Sequence, residues 1–492
     1  MLQKIQQTIK QSAIYTLPGI ASQLIGVILV PIYTRIFVPA DYGIMAGIAL
    51  ITPITTLLLM FAIEQGVARY YLDSQDERDK KLTAATGLYF VAILSFSVIS
   101  IVVLFFSKEI SQLVLNDTKY STYFILALTA IPFSLCYKLA LDILRFRFQA
   151  TRRTIIGITN MLVSVGLSIY LVVFLRMGIT GVFLATLITN IIFCITVLFL
   201  VKSNYALIFS FKRLKELFIF SAPLVPATMT LYAFHYADRY FLIHMTTLEE
   251  LGLYSIGVTI ASAVLLLMVG FRGAWVPIVL SSFREEESKQ FYVKIFDYFW
   301  ALIFLGTVGI SLFSKEILAI LAPETYLGAY TVVPILILSL VLFNGVSFFT
   351  FGITIAKKTQ YRLPLAVIVA AINVGLNYLL IPVYGMVGAA IATLISSIVY
   401  AVASFIISQK LYYVSYNLAS FFKILAVVIM IISVSYFLFS DISLQNILIK
   451  VGLIGIFMAC LYLFNLIGKE ELTYLRKLAY RVLLRRKDIT QI

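Results

Sequence analysis

The sequence predicts an all-α, polytopic integral membrane protein with about 14 transmembrane helices: two pseudosymmetric six-helix lobes and two further C-terminal helices. Three observations predict it. Of 492 residues, 61% are hydrophobic and only 12% charged, and mean hydropathy is +1.01, whereas a soluble chain is about half apolar and a quarter charged. Apolar runs of about 20 residues, long enough to cross roughly 30 Å of hydrocarbon, recur from end to end. Finally, several segments recur at an offset close to 207.

The apolar runs place spans at 12–34, 42–68, 83–106, 121–143, 156–176, 178–201, 217–245, 251–275, 293–313, 326–351, 364–384, 385–409, 419–440 and 445–467. Lys4 and Lys10 precede span 1, which carries no A-x-A-like cleavage site and reads as an uncleaved signal anchor. With the N-terminus inside, inner segments hold 29 of the 38 Lys and Arg residues. Outer segments hold Arg35, Lys108, Lys119, Arg176, Arg239 and Lys315. This bias places both termini in the cytoplasm. It also accounts for the net charge of +15 without a nucleic-acid partner. Cys136, Cys194 and Cys460 fall within spans and form no disulfide framework.

The repeat sets the domain organisation. "FSKEI" at 106–110 returns at 313–317, and "GITGVFLATLI" at 178–188 returns as "GMVGAAIATLI" at 385–395, both at offset 207. "RRT" at 152–154 matches "KKT" at 357–359, and "RIFVPADYGI" at 35–44 parallels "HMTTLEELGL" at 244–253. Residues 1–201 (spans 1–6) therefore form an N-lobe and 217–410 (spans 7–12) a C-lobe. An even number of spans per copy makes the copies parallel, a transporter design with the substrate site between the repeats. The basic segment 202–216 joins them as an interfacial helix. Spans 13 and 14 (411–468) are appended. The tail 469–492 has Leu472, Leu475, Leu478 and Leu483 on one face and cations on the other, as a helix lying on an anionic leaflet would.

Charges at bilayer depth cost at least a few kcal/mol each and mark candidate sites. Span 7 carries "FHYADRYFLIH" (234–244), with Asp238 and Arg239 adjacent and both histidines of the chain, His235 and His244. Neighbours on a helix diverge by about 100°, which predicts poor self-pairing. Span 8 carries Arg272 near the midplane, aligned at offset 208 with Glu64 of span 2. The two could bridge the lobes or both line a cavity. Lys138, Asp142 and Arg145 of span 4 share one helical stripe, and Arg69 follows Glu64 by about one turn. Arg272, Arg239, Arg69, Lys138 and Arg145 against Glu64, Asp142 and Asp238 leave two surplus positive charges, suited to an anionic ligand. Arginine in particular binds two phosphate oxygens at once. The three acids are candidate ion-coupling or charge-pair residues.

"TRIFVPADYGIMAGIAL" (34–50), "ADRYFLIHMTTLEELGLYSIGVTIA" (237–261) and "GMVGAAIATLISSIVY" (385–400) resemble the O-antigen-type polysaccharide flippases. That family belongs to the superfamily of multidrug, oligosaccharidyl-lipid and polysaccharide exporters. The resemblance covers nearly the whole chain. It implies movement of undecaprenyl-pyrophosphate-linked oligosaccharide across the bacterial cytoplasmic membrane, by alternating access through a cationic cavity, for lipopolysaccharide O-antigen or other surface polysaccharide. It also implies polymerase and other assembly proteins as partners, with a proton or sodium ion as coupling ion. The span 8 arginine of the related lipid II flippase corresponds to Arg272. The charged pair in span 1 of that relative has no counterpart here, whereas span 7 carries Asp238–Arg239.

Two alternatives have different signatures. A multidrug and toxin extrusion-type antiporter of the same fold would carry an acid in span 1, and residues 12–34 hold none. A membrane-embedded glycan polymerase or transferase needs a catalytic constellation. The chain has no D-x-D, H-E-x-x-H or Walker motif and no cysteine pair at metal spacing. A non-enzyme without cofactor or metal is the expectation.

Overall fold

The computed structural model describes residues 2–206, 208–269, 287–439 and 441–464, and every element among them is a helix. The solvent dictates this: an unpartnered backbone group costs several kcal/mol in hydrocarbon, and a helix pairs its own. The first half comprises α1 (Leu2–Tyr33), α2 (Pro39–Met60), α3 (Ile63–Asp73), α4 (Glu77–Leu115), α5 (Ser121–Phe146), α6 (Ala150–Ile169) and α7 (Gly178–Leu200). The second comprises α8 (Phe211–Ser221), α9 (Leu224–Met245), α10 (Leu248–Ala261), α11 (Glu287–Leu312), α12 (Ser314–Leu321), α13 (Val333–Phe349), α14 (Phe351–Ile355) and α15 (Arg362–Leu411). Then come α16 (Leu418–Leu438) and α17 (Leu444–Leu463).

Among the described residues 11 helices are long and apolar enough to cross a membrane, and α8 with α9, bent by 49°, make a twelfth as one broken span. The α15 path covers 50 residues but breaks at Gly385, whose φ of 54° is left-handed, so it divides into spans 11 and 12. Together with the apolar Leu17–Tyr33 part of α1, this accommodates the 14 spans read from the sequence. The basic tail beyond residue 464 lies outside the described residues.

Span 2 is not the single helix that its apolar run predicts. Phe61 and Ala62 both take left-handed conformations (φ 49° and 53°) and separate α2 from α3. Neither is Gly, Asn or Asp, and such residues cost about 1–3 kcal/mol each unless the surroundings enforce them. Helix α8 runs from the end of the 202–216 linker into the start of span 7 and packs on the N-lobe. Leu217 and Ser221 of α8 press on Gly66 of α3, where a Cβ would sit 2.9 Å from Ser221 Oγ. Arg213 bridges to Asp79 and to Glu216.

The lobes meet where α2 crosses α10, at the end that the charge bias places outside, and at the other end where Phe218 packs on Phe61 and Phe90 with ring centroids 5.2 and 4.9 Å apart. A Cβ on Gly43 would lie 1.9 Å from the Leu248 carbonyl oxygen, and one on Gly252 would lie 1.8 Å from that of Pro39. At offset 209, Gly43 matches Gly252 and Pro39 matches Leu248, so the contact is reciprocal, as a two-fold relation requires. Tyr326 Oη donates to Phe37 O at 2.7 Å and Thr34 Oγ1 to Leu321 O at 3.2 Å across the outer end.

The appended pair is fastened to the C-lobe. Phe421 of α16 packs on Trp300 and Phe304 of α11, with ring centroids 4.9 and 5.6 Å apart. Lys450 of α17 donates to Glu316 Oε1 at 2.5 Å, and both side chains are buried.

Candidate functional site

The candidate residues lie on helices that occur once in each repeat. In the N-lobe, the break at Phe61–Ala62 sets Glu64 in the first turn of α3. Its Oε1 lies 3.4 Å from Lys138 Nζ of α5, and its Oε2 is buried without a partner among the described residues. Glu64 thus pairs within its own lobe. The bridging partner that the repeat alignment suggested for it, Arg272, lies outside the described residues.

The span 4 stripe divides in two. Lys138 turns to Glu64, while Asp142, 3% exposed, faces Arg145 Nε at 3.5 Å and Arg153 Nη2 at 3.4 Å. The side chains of Lys138 and Arg145 remain 50% and 44% exposed. Three cations against two acids leave this wall one charge positive. Arg69 stands apart, in an exposed pair with Asp73 at 2.9 Å. Sequence reading counted Arg153 only as an inner-loop cation. It reaches Asp142 across the α5–α6 turn, at Phe148 (φ 57°), a tertiary contact that no helical spacing announces.

In the C-lobe, Asp238 is buried and its two oxygens are committed. Oδ2 accepts from the Tyr254 hydroxyl of α10 at 2.5 Å, and Oδ1 from the Arg239 backbone N–H at 2.7 Å. Contrary to the helical-geometry expectation, Arg239 does reach its neighbour, with Nη1 3.4 Å from Asp238 Oδ1. The long side chain folds back along the helix, and the same Nη1 donates to His235 O at 2.9 Å. The guanidinium also lies over the Tyr236 ring at 5.4 Å. The charges of span 7 are therefore an inward-turned acid and a cation stapled to the preceding turn. His244 reaches across to α4, with Nε2 3.1 Å from Leu113 O.

A cavity of about 380 Å³ opens in the C-lobe between α9, α13 and α15. Phe343, Asn344, Ser347, Thr350, Arg362 and Tyr400 are among its lining residues. Phe234 stacks on Phe343 at 4.6 Å and 11°, Phe343 on Tyr400 at 5.2 Å and 29°, and His235 meets the Phe343 edge at 5.0 Å. The Tyr137–Phe193 ring pair, at 6.2 Å, is the N-lobe counterpart of Phe343–Tyr400, at offsets 206 and 207. At offset 206, Lys138 corresponds to Asn344 and Arg145 to Phe351. Sequence reading passed over the neutral side chains here. It also passed over Asn373 and Asn377, buried on α15, where Asn377 Nδ2 donates to Asn373 Oδ1 at 2.9 Å. Their i, i+4 spacing in an apolar run was the available signal.

The sequence profile of a family described as "Polysaccharide biosynthesis protein" matches residues 32–331. An "uncharacterized membrane protein" of Haemophilus influenzae is 24% identical over 329 residues, covering 65% of this chain and 74% of that protein. Among solved structures, the lipid II flippase MurJ in an inward closed conformation superposes with a TM-score of 0.73 at 17% identity, covering 91% of this chain and 98% of that one. An inward-facing multidrug resistance MATE transporter superposes with a TM-score of 0.65 at 14% identity, covering 80% and 94%. The fold is thus that of these polytopic transporters, and the chain is a multi-pass membrane protein.

Proposed function

The chain belongs to the polysaccharide biosynthesis protein family, and from that premise we propose that it is a flippase for undecaprenyl-pyrophosphate-linked oligosaccharide. It carries this lipid from the inner to the outer leaflet of the bacterial cytoplasmic membrane, with both termini in the cytoplasm, and supplies O-antigen or related surface polysaccharide assembly. The observation that carries this reading is the N-lobe wall. Lys138 within span 4 and Arg145 in the last turn of the same helix stay half exposed although each has an acid within reach. Cations are kept at such depth when an anion is to be met there. Pyrophosphate is a fitting anion because guanidinium and ammonium donors match its oxygens at charge-assisted strength.

In this reading the wall is reached from the cytoplasm, and the lipid headgroup enters from the inner leaflet. Opening the α2–α10 crossing then exposes the same wall to the outside, which is alternating access by rocking of parallel repeats. Arg272, assigned to span 8 from the sequence alone, is the further cation of this reading, and Arg239 lies towards the outer end. Arg69, exposed with Asp73, contributes least. Asp238, buried and hydrogen-bonded, and Glu64, with one oxygen unpartnered, are the acids placed to couple the motion to a proton or sodium ion. Polymerase and other assembly proteins take the product in the outer leaflet.

Deletion in the native host, with complementation, tests the reading. Loss of the chain is expected to abolish surface polysaccharide and to accumulate the lipid-linked oligosaccharide in the inner leaflet. Arg272→Ala is expected to fail in complementation and Arg272→Lys to restore part of it. Normal display without the chain would contradict the assignment.

A further inference from the structure

We propose that the two lobes divide the substrate between them: the N-lobe wall takes the pyrophosphate, and the C-lobe cavity between α9, α13 and α15 is the binding site for its sugar rings. The proposal rests on the flippase reading and adds to it which lobe holds which half of the ligand. The cavity's chemistry is that of a carbohydrate site. A pyranose offers a patch of C–H bonds on its face and hydroxyls around its rim. It calls for an aromatic surface beside hydrogen-bond donors and acceptors. Phe343 and Tyr400 supply the aromatic surface, backed by Phe234 and held at its edge by His235. Asn344 and Ser347 of α13 and Thr350 just past its end line the same cavity, and an amide and two hydroxyls both donate and accept. The exposed Arg362 stands among them, with Nη2 held by Thr354 Oγ1 at 2.7 Å. At about 380 Å³ the volume lies within the roughly 300–1,000 Å³ of small-molecule sites.

The repeat supplies the second argument. The N-lobe wall and the C-lobe cavity occupy matching places in the two repeats, yet where the N-lobe has Lys138 the C-lobe has Asn344, and where it has Arg145 the C-lobe has Phe351. A ligand of uniform chemistry gives no reason for this divergence. A headgroup that is anionic at one end and a neutral polyol at the other does.

The test is equilibrium binding to the purified full chain in nanodiscs. The two probes are sugar-free undecaprenyl pyrophosphate and the oligosaccharide-bearing lipid that accumulates in the native host when the chain is deleted. Wild type is expected to bind the sugar-bearing probe at least tenfold more tightly. Asn344→Ala with Tyr400→Leu should bring that ratio close to one while leaving affinity for undecaprenyl pyrophosphate unchanged. Lys138→Ala should weaken both probes equally and preserve the ratio. Tyr400→Phe keeps the ring while removing the hydroxyl. It is expected to retain most of the preference, which separates loss of stacking from loss of fold. Cavity variants that weaken both probes alike, or neither, would overturn the division between lobes. A wild type that binds neither probe would instead overturn the flippase reading itself.

Discussion

The N-lobe and C-lobe are two copies of one helical plan, and they differ where Lys138 and Arg145 of the first stand against Asn344 and Phe351 of the second. At the lobe crossing the copies still match: Gly43 meets the Leu248 carbonyl and Gly252 meets that of Pro39, with Cβ clearances of 1.9 and 1.8 Å. Deeper in, the match ends. Lys138, Arg145 and Arg153 charge the first copy, while the C-lobe cavity is lined by stacked rings, neutral polar groups and the exposed Arg362. The "FSKEI" repeats differ likewise. Glu109 is exposed, whereas its mate Glu316 is buried under Lys450 of the appended helix α17. Symmetry survives where the two copies must fit each other and is lost where each must fit something else.

This comparison can be broken in several places. The largest effect is expected at the charged wall. Lys138→Ala with Arg145→Ala removes two charge-assisted contacts of about 1.5–3 kcal/mol each, so surface display should fall by about 100-fold or more, with normal membrane insertion confirmed by immunoblot. Next comes Glu316. Either Glu316→Gln or Lys450→Met alone leaves a buried group without its partner and should cost about 3–5 kcal/mol in thermal unfolding. The same change at Glu109 should cost less than about 0.5 kcal/mol, as expected of an exposed position.

At the lobe crossing, Gly43→Ala and Gly252→Ala each force the helices apart. Spin labels on Ala40 and Glu249 should report a separated population enriched by roughly tenfold, the equivalent of about 1.4 kcal/mol. Because the contact is reciprocal, both substitutions should act alike, and a one-sided response would refute the symmetric crossing. The smallest effect is expected at Arg69→Gln. Exposed pairs contribute about 0–1 kcal/mol, so display should stay within about twofold of wild type.

The amount legible in the sequence follows the range of the interactions. Membrane spans and the repeat are written in composition and spacing, so the all-helical plan and its pseudosymmetry could be read directly. Glu64 and Asp142 were recognisable as acids at depth, but their partners were not. Lys138 reaches Glu64 from another helix, and Arg153 reaches Asp142 around a turn. The Phe61–Ala62 break was invisible because neither residue favours a left-handed backbone by itself, so tertiary packing must impose it. The C-lobe cavity was missed because Asn344, Ser347 and Tyr400 carry no formal charge and Arg362 falls in an inner segment between spans, whereas the search was for charges at membrane depth.

Translocation in proteoliposomes tests the account most directly. Wild-type chain, Lys138→Ala/Arg145→Ala and protein-free vesicles would be loaded with the host's oligosaccharide-bearing lipid, and its appearance in the opposite leaflet followed by access to an added glycosidase. The account predicts rapid transfer by wild type and a rate for the double variant close to that of empty vesicles. Wild-type vesicles that transfer no faster than empty ones, or a double variant that transfers as fast as wild type, would contradict it.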